Sequence, residues 1–186
     1  MEKRCILILG GARSGKSRQA QKLAVELGER VLFAATGEAR DEEMRQRIDE
    51  HRRNRPPNWR VLELPINVGR GILHGIGDAQ VVILDCLTLL VSNVIGECRA
   101  KSDPEAVDEK LLQDELDMQL RELLEAIDTV GASCIIVSNE VGMGLVPVNR
   151  LGRLYRDLLG EANQAVAGRA DEVYLMVAGV PLQVKP

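Results

Sequence analysis

Short apolar runs alternate along the chain with longer, charged stretches in which apolar residues recur at helical spacing. The runs predict strands over 5–9, 31–35, 61–64, 81–84, 134–138 and 173–177. The stretches between them predict helices over 17–27, 41–53, 108–127 and 152–167. This alternation predicts an α/β fold in one domain, 1–186, with a mainly parallel sheet and flanking helices. The polar segment 96–108 is expected to form an exposed connection.

The loop after the first predicted strand carries the most specific pattern in the chain. Residues 10–17 read Gly-Gly-Ala-Arg-Ser-Gly-Lys-Ser, a match to G-x-x-x-x-G-K-[ST] between a strand and a helix. Backbone N–H groups of such a P-loop cradle phosphates, the lysine reaches the β and γ phosphates, and the hydroxyl joins the Mg²⁺ shell. We therefore expect a nucleoside triphosphate at Gly10, Gly11, Ala12, Arg13, Ser14, Gly15, Lys16 and Ser17.

Composition excludes several other functions. The net charge of −4, with no block of basic residues, argues against nucleic-acid binding, and so do the few aromatic residues, which make up 2% of the chain. No segment is long enough to span a membrane, and the apolar run near the start is too short for a signal peptide. Four cysteines without C-x-x-C spacing are interpreted as buried apolar residues in a reducing compartment. We expect a cytoplasmic protein with an aliphatic core.

Polar residues also follow two other predicted strands. Asp85 ends the run 81–84, as the acid of a Walker B strand does when it helps to hold Mg²⁺. Asn139 begins the glycine-containing segment 139–144 after another strand, where glycine permits close approach of the backbone to a ligand, and a structural turn is the alternative. Gly10, Thr36, Asp85 and Asn139 are all predicted at the carboxyl ends of strands, where parallel sheets bind ligands.

The predicted helix 41–53 places a histidine among arginines. Met44, Ile48 and His51 share its one apolar face, so a partly buried structural histidine is the simpler interpretation of His51. The alternative is a nucleophile, because the arginines at 52, 53 and 55 would suit phosphates and would keep the imidazole neutral, with a free lone pair.

Three motifs together resemble one family. They are the loop 10–17, the pattern Arg47-Ile48-x-x-His51-x-x-x-Arg55-Pro56-x-x-Trp59, and Asn139-Glu-Val-Gly-Met-Gly. The chain is similar in these motifs, and nearly end to end, to the bifunctional adenosylcobinamide kinases/adenosylcobinamide-phosphate guanylyltransferases of cobalamin synthesis. Asp85 stands where some members carry a glutamate at the end of the Walker B strand.

The resemblance implies two reactions and a RecA-like P-loop NTPase fold. Adenosylcobinamide would first be phosphorylated with ATP or GTP. GTP would then donate GMP to that phosphate through a guanylylated histidine, at a position that matches His51, and release pyrophosphate. Lys16 would assist catalysis, Mg²⁺ would be held by Ser17 and Asp85, and a homo-oligomer, specifically a homotrimer, is expected.

The same resemblance implies further nucleotide-binding positions, which are Ala35, Thr36, Gly37, Arg52, Arg53, Asn54, Arg55, Glu63 and Asp85. A carboxylate such as Glu63 or Asp85 would accept from the guanine edge, a role that competes with Mg²⁺ binding for Asp85. Two alternative functions stay open, a P-loop small-molecule kinase without guanylyl transfer and a nucleotide-sensing module without chemistry.

Overall fold

One seven-stranded sheet organises the computed structural model of the protein, which describes residues 2–53, 55–101 and 108–186. Its strands are β1 (Cys5–Gly10), β2 (Val31–Ala35), β3 (Arg60–Glu63), β4 (Val81–Asp85), β5 (Ser133–Val137), β6 (Glu172–Val177) and β7 (Val180–Lys185). The spatial order is β3-β2-β4-β5-β1-β6-β7, and only the β6–β7 pairing is antiparallel. The predicted mainly parallel α/β sheet is confirmed.

Helices cover both faces of this sheet. They are α1 (Lys16–Leu27), α2 (Glu42–Arg53), α3 (Val68–Gly75), α4 (Leu87–Lys101), α5 (Glu109–Thr129) and α6 (Arg150–Arg169). Side chains of β1 alternate between the two cores: Cys5 and Leu7 pack with α3 to α6, whereas Ile6 and Ile8 pack with α1. Both cores are largely aliphatic, as the composition predicts. Among the described residues, no helix combines the length and the apolar character that a membrane crossing requires.

Three elements were not predicted from the sequence. In α3, glycines weaken the helical signal of the sequence. They are needed for packing, because a Cβ on Gly69 would lie 2.2 Å from the Glu122 carbonyl oxygen, and glycine therefore lets α3 approach α5 closely. The last strand, β7, escaped prediction because its apolar residues are exposed. The third element, α4, runs into the segment predicted as an exposed connection.

The prediction of a connection over 96–108 is wrong for its first part, which continues α4 to Lys101. Val91, Val94 and Ile95 are buried in this helix, and Cys98, 7% exposed, extends their face by one more turn. The residues 102–107 lie outside the described part of the chain.

The parallel strands bring their carboxyl ends to one edge of the sheet. Ala35, at the end of β2, is in register with Glu63 on one side and with Asp85 on the other. The P-loop follows β1, two strands beyond β4. The predicted clustering of strand-end residues at this edge is therefore confirmed, and it defines the candidate site.

Candidate active site

The P-loop is a tight turn that only glycine permits at its start. Gly10 has a φ of 149°, and a Cβ there would lie 2.7 Å from the Met176 carbonyl oxygen. Gly15, with a φ of 95°, precedes the first residue of α1, Lys16. The loop therefore presents the amino end of α1 at the carboxyl edge of the sheet, where its N–H groups can meet an anion.

Two polar side chains of the P-loop are buried. Lys16 is 8% exposed, and its Nζ donates to the Gly11 carbonyl oxygen at 2.6 Å. Burial lowers the pKa of Lys16, while Asp85 and Cys86 oppose that effect. The hydroxyl oxygen of Ser14 is also buried, without a hydrogen-bond partner in the described structure. A phosphate oxygen would supply both groups with a partner.

A buried threonine joins the ends of β2 and β4. The Thr36 hydroxyl donates to the Cys86 carbonyl oxygen at 2.7 Å and accepts from the Cys86 backbone N–H at 2.8 Å. Asn93 donates to the Thr36 carbonyl oxygen at 2.8 Å. These bonds hold the backbone next to Asp85. The strand pattern predicts Thr36 at this edge, whereas Cys86 and Asn93 belong to no motif that would reveal them.

The histidine at the end of α2 reaches the acid at the end of β4. Nδ1 of His51 lies 3.6 Å from Oδ2 of Asp85, and the side chains are 48% and 11% exposed. Asp85 raises the pKa of His51, chiefly as a hydrogen-bond acceptor, against the opposing effects of partial burial and Arg55. Because Nδ1 faces Asp85, Nε2 is the ring nitrogen on the side away from that carboxylate, the one that a ligand could meet.

The prediction that neighbouring arginines keep His51 neutral is wrong. Arg52 turns away and donates to Glu63, and the Arg55 guanidinium lies 3.7 Å above the centre of the Phe33 ring. The charge that dominates at His51 is the carboxylate of Asp85, so the pKa is raised and not lowered. Sequence spacing alone could not reveal this, because Asp85 comes from a different element.

A groove beside β3 collects the arginines and the second acid. It has a volume of about 310 Å³ and is lined by Arg52, Arg55, Pro56, Pro57, Trp59, Val61 and Glu63. The Glu63 side chain is 65% exposed, and the Nε atom of Arg55 is buried without a hydrogen-bond partner among the described residues. Burial lowers the pKa of Arg55. The groove therefore offers one accessible carboxylate and an under-satisfied cation.

The segment after β5 is tied to the P-loop through its backbone. The Glu140 N–H donates to the Gly10 carbonyl oxygen at 3.1 Å. The Asn139 N–H donates to the Thr88 hydroxyl at 2.7 Å, and Asn163 donates to the Asn139 carbonyl oxygen at 3.0 Å. These contacts fix where the glycine-containing segment leaves the sheet.

The structure brings most of the predicted residues together at this edge. The P-loop residues 10–17, Ala35, Thr36, His51 and Asp85 form its centre, and Arg52, Arg55 and Glu63 form the neighbouring groove. Gly37 lies beside α2, since a Cβ on it would lie 3.5 Å from the Ile48 side chain, and Arg53 is exposed on the last turn of that helix. Asn54, also predicted to bind nucleotide, lies outside the described residues.

The sequence matches one protein family along almost its whole length. Residues 6–184 match the family model described as cobinamide kinase / cobinamide phosphate guanyltransferase. The chain is 38% identical over 180 residues to the bifunctional adenosylcobalamin biosynthesis protein CobU of Escherichia coli strain K12, covering 97% of this chain and 99% of the relative. It is 41% identical over 179 residues to the corresponding protein CobP of Pseudomonas aeruginosa, covering 96% of each chain.

Solved structures support the fold class. An ATPase from the type III secretion system of pathogenic bacteria superimposes with a TM-score of 0.59 over 94% of this chain and 51% of that protein, at 14% sequence identity. At this identity the likeness concerns the fold alone. The predicted RecA-like P-loop NTPase fold is confirmed.

Proposed function

Because the chain belongs to the family of cobinamide kinases / cobinamide phosphate guanyltransferases, we propose that it carries out both of the family's reactions in one P-loop domain. It phosphorylates adenosylcobinamide with ATP or GTP, and then transfers GMP from GTP to the new phosphate. The products of the second step are adenosylcobinamide-GDP and pyrophosphate. The observation that carries the proposal is the half-exposed His51 beside Asp85, at the same sheet edge as the P-loop.

In the kinase step the P-loop holds the β and γ phosphates. The substrate hydroxyl oxygen bonds to the γ-phosphorus, the bond from that phosphorus to the bridging oxygen breaks, and a nucleoside diphosphate and the hydroxyl proton leave. Lys16 supplies positive charge to the transferred group, and the α1 N-terminus supplies backbone donors. Both are positioned before the reaction by the buried turn at Gly10.

In the guanylyl step the same loop holds the leaving group. Nε2 of neutral His51 bonds to the α-phosphorus of GTP, the bond to the β-bridging oxygen breaks, and pyrophosphate leaves. Asp85 orients the imidazole through Nδ1 and stabilises the positive charge that develops on it. A phosphate oxygen of adenosylcobinamide-phosphate then attacks the same phosphorus and releases His51.

Ser17 and Asp85 are the side chains that would hold Mg²⁺. A hydroxyl and one carboxylate fit this ion, which keeps several waters and takes its other ligands from substrate phosphates. Within the described ranges, no three histidine, cysteine, aspartate or glutamate side chains cluster as a metal site. We therefore propose a site that is completed by the substrate phosphates and water, and not one built from protein ligands alone. Bound Mg²⁺ would neutralise charge on the phosphates.

The two acids receive different roles in this proposal. Asp85 belongs to the phosphate end, because it interacts with both Lys16 and His51. Glu63 lies two strands away in the groove beside β3, where its exposed carboxylate can accept from guanine N1–H and the 2-amino group. Arg52 and Arg55 flank that position and offset the carboxylate charge.

The proposal extends to assembly and location. A homo-oligomer, with a trimer as the first expectation, would cover the exposed apolar side chains of the β6–β7 hairpin, Val177, Val180, Leu182 and Val184. Light scattering would measure the assembly. A cytoplasmic location fits the nucleoside triphosphate substrates and the cysteines, since Cys5, Cys86 and Cys134 are free thiols.

Labelling with GTP tests the central step. Incubation with α-labelled GTP and Mg²⁺ should leave covalent GMP on the protein, through a bond that is labile to acid and stable to alkali. The label should be lost in His51→Ala and kept in His74→Ala, the matched control, because His74 lies on α3. Phosphorylation of cobinamide without a labelled enzyme would favour the simple kinase, and label retained in His51→Ala would overturn the nucleophile assignment.

A further inference from the structure

An exposed apolar loop lies beside the nucleotide site. We name residues 141–149, which connect the end of β5 to α6, the apolar loop. Met143 is 81% exposed, Leu145 96%, Val146 63% and Val148 99%. Four large apolar side chains within six residues are thus exposed to water, which solvates them poorly, and clustered apolar exposure of this kind marks binding sites.

The backbone of the apolar loop is held firmly while its side chains point outward. Arg153 donates to the carbonyl oxygens of Pro147 at 3.1 Å and Val148 at 2.6 Å. Asn149 caps α6 by accepting from the Gly152 N–H at 2.6 Å. These bonds keep the loop from folding its apolar side chains back onto the protein, so the exposure is built into the local structure.

The apolar loop continues directly from the phosphate site. It follows Glu140, whose N–H bonds to the Gly10 carbonyl oxygen of the P-loop at 3.1 Å. The charged groups of Arg52, Arg55 and Glu63 line the groove beside β3, three strands away from β5. By contrast, the sequence 141–149 holds no charged residue. The charged groove and the uncharged apolar loop therefore occupy different positions along the same edge of the sheet, and the apolar loop begins next to the phosphate site.

We propose that the apolar loop binds the corrin ring of the substrate. This inference rests on the proposed function, which requires a large corrinoid to bring its hydroxyl arm to the phosphates. A corrin macrocycle carries methyl groups and uncharged amide arms, so it complements an apolar surface without charges. Backbone carbonyl and N–H groups of the loop are of the type that pairs with the amide arms.

Equilibrium dialysis with adenosylcobinamide tests the assignment. The double variant Leu145→Ser/Val148→Ser should raise the dissociation constant by about 10-fold or more, since two apolar contacts are lost. Its KM for the corrinoid should rise with little change in kcat. Labelling with GTP should remain normal, because that half-reaction needs no corrinoid, and it also confirms that the variant is folded.

Val25→Ser is the matched control. Val25 is 63% exposed, like Val146, but lies near the end of α1, roughly 14 Å along the helix from Lys16. This variant should bind the corrinoid with the affinity of the original protein. The comparison separates a local effect of the apolar loop from a general effect of surface polarity.

Three outcomes would overturn the assignment. They are an unchanged dissociation constant in the double variant, an equal change in Val25→Ser, and a change of oligomeric state by light scattering, which would show that a second copy covers the loop. The proposed function is judged separately. A protein that binds the corrinoid through the loop without turning it over contradicts only the function, and normal turnover with unchanged affinity in the double variant contradicts only the loop assignment.

Discussion

His51 Nδ1 lies 3.6 Å from Asp85 Oδ2, although the two residues belong to a surface helix and an interior strand. The contact connects α2 to the carboxyl edge of the sheet and turns one imidazole nitrogen toward a fixed acid. It also links the proposed nucleophile to the group whose charge acts on Lys16. One carboxylate therefore influences both Lys16 of the P-loop and His51.

The pH dependence of guanylylation should report this contact. Asp85 raises the pKa of His51 above its ordinary value of 6.5. The nucleophile must be neutral, so labelling should be slow below that raised pKa and increase as the pH rises through it. In Asp85→Asn the midpoint should move to lower pH, because the largest raising influence is gone. Single-turnover labelling with GTP across pH 5 to about 9 would measure it.

Glu50→Gln is the control for this shift. Glu50 also raises the pKa of His51, but by a smaller charge effect than Asp85. Its substitution should move the midpoint in the same direction by less. A midpoint that stays in place in Asp85→Asn would contradict the role given to the His51–Asp85 contact, whatever happens to the maximal rate.

Base selectivity should depend on Glu63. The carboxylate is expected to accept from the guanine 2-amino group, which inosine triphosphate lacks, and a hydrogen bond to a charged group contributes about 1.5–3 kcal/mol. The original protein should therefore label with GTP about 10-fold or more efficiently than with inosine triphosphate. Glu63→Gln should lower this ratio several-fold, because the amide oxygen is a weaker acceptor than the carboxylate. Single-turnover rates at several nucleotide concentrations would give the ratio.

Glu109→Gln provides the matched control, since Glu109 also pairs with an arginine, Arg150, but lies on α5. Its selectivity should equal that of the original protein. A ratio that collapses in Asp85→Asn and persists in Glu63→Gln would exchange the roles of the two acids. That result would assign the guanine edge to Asp85.

Much of this site could be predicted from local sequence signals. The P-loop is a contiguous motif whose geometry follows from glycine positions, and the near-continuous apolar runs at β4 and β5 give interior strands directly. The apolar run of β4 also predicts the position of Asp85, the acid at its end. Such features depend on residues that are neighbours in the chain.

The remainder depends on contacts between distant residues. The pKa of His51 was predicted from adjacent arginines, but it is set by Asp85, which is 34 positions further along the chain, at 85 against 51. Similarly, α3 contains glycines that weaken its helical signal, and only packing against α5 explains them. Tertiary structure decides these cases, and sequence periodicity carries no information about it.

The buried threonine at the end of β2 should contribute measurably to stability. In Thr36→Val both hydrogen bonds to the Cys86 backbone are lost while the side-chain shape is kept, leaving buried polar groups without partners. We expect the free energy of unfolding to fall by about 2 kcal/mol, measured by urea denaturation. Thr129→Val, which removes an exposed hydroxyl bonded to the Glu125 carbonyl oxygen, should change it by less than about 0.5 kcal/mol. Equal effects in both variants would contradict the bridging role of Thr36.

The conformation of Gly10 should be essential to both folding and nucleotide binding. An alanine there would hold a strained φ of 149° and place its Cβ against a backbone oxygen of β6, at 2.7 Å. Gly10→Ala should lower the free energy of unfolding by about 2 kcal/mol or more and abolish GTP labelling. Gly160→Ala should instead raise it by roughly 0.5–1 kcal/mol, because that glycine lies within α6 with no atom in reach of a Cβ. Denaturation midpoints and labelling of the two variants side by side would decide the matter, and a Gly10→Ala protein that still binds GTP normally would refute the need for this tight turn.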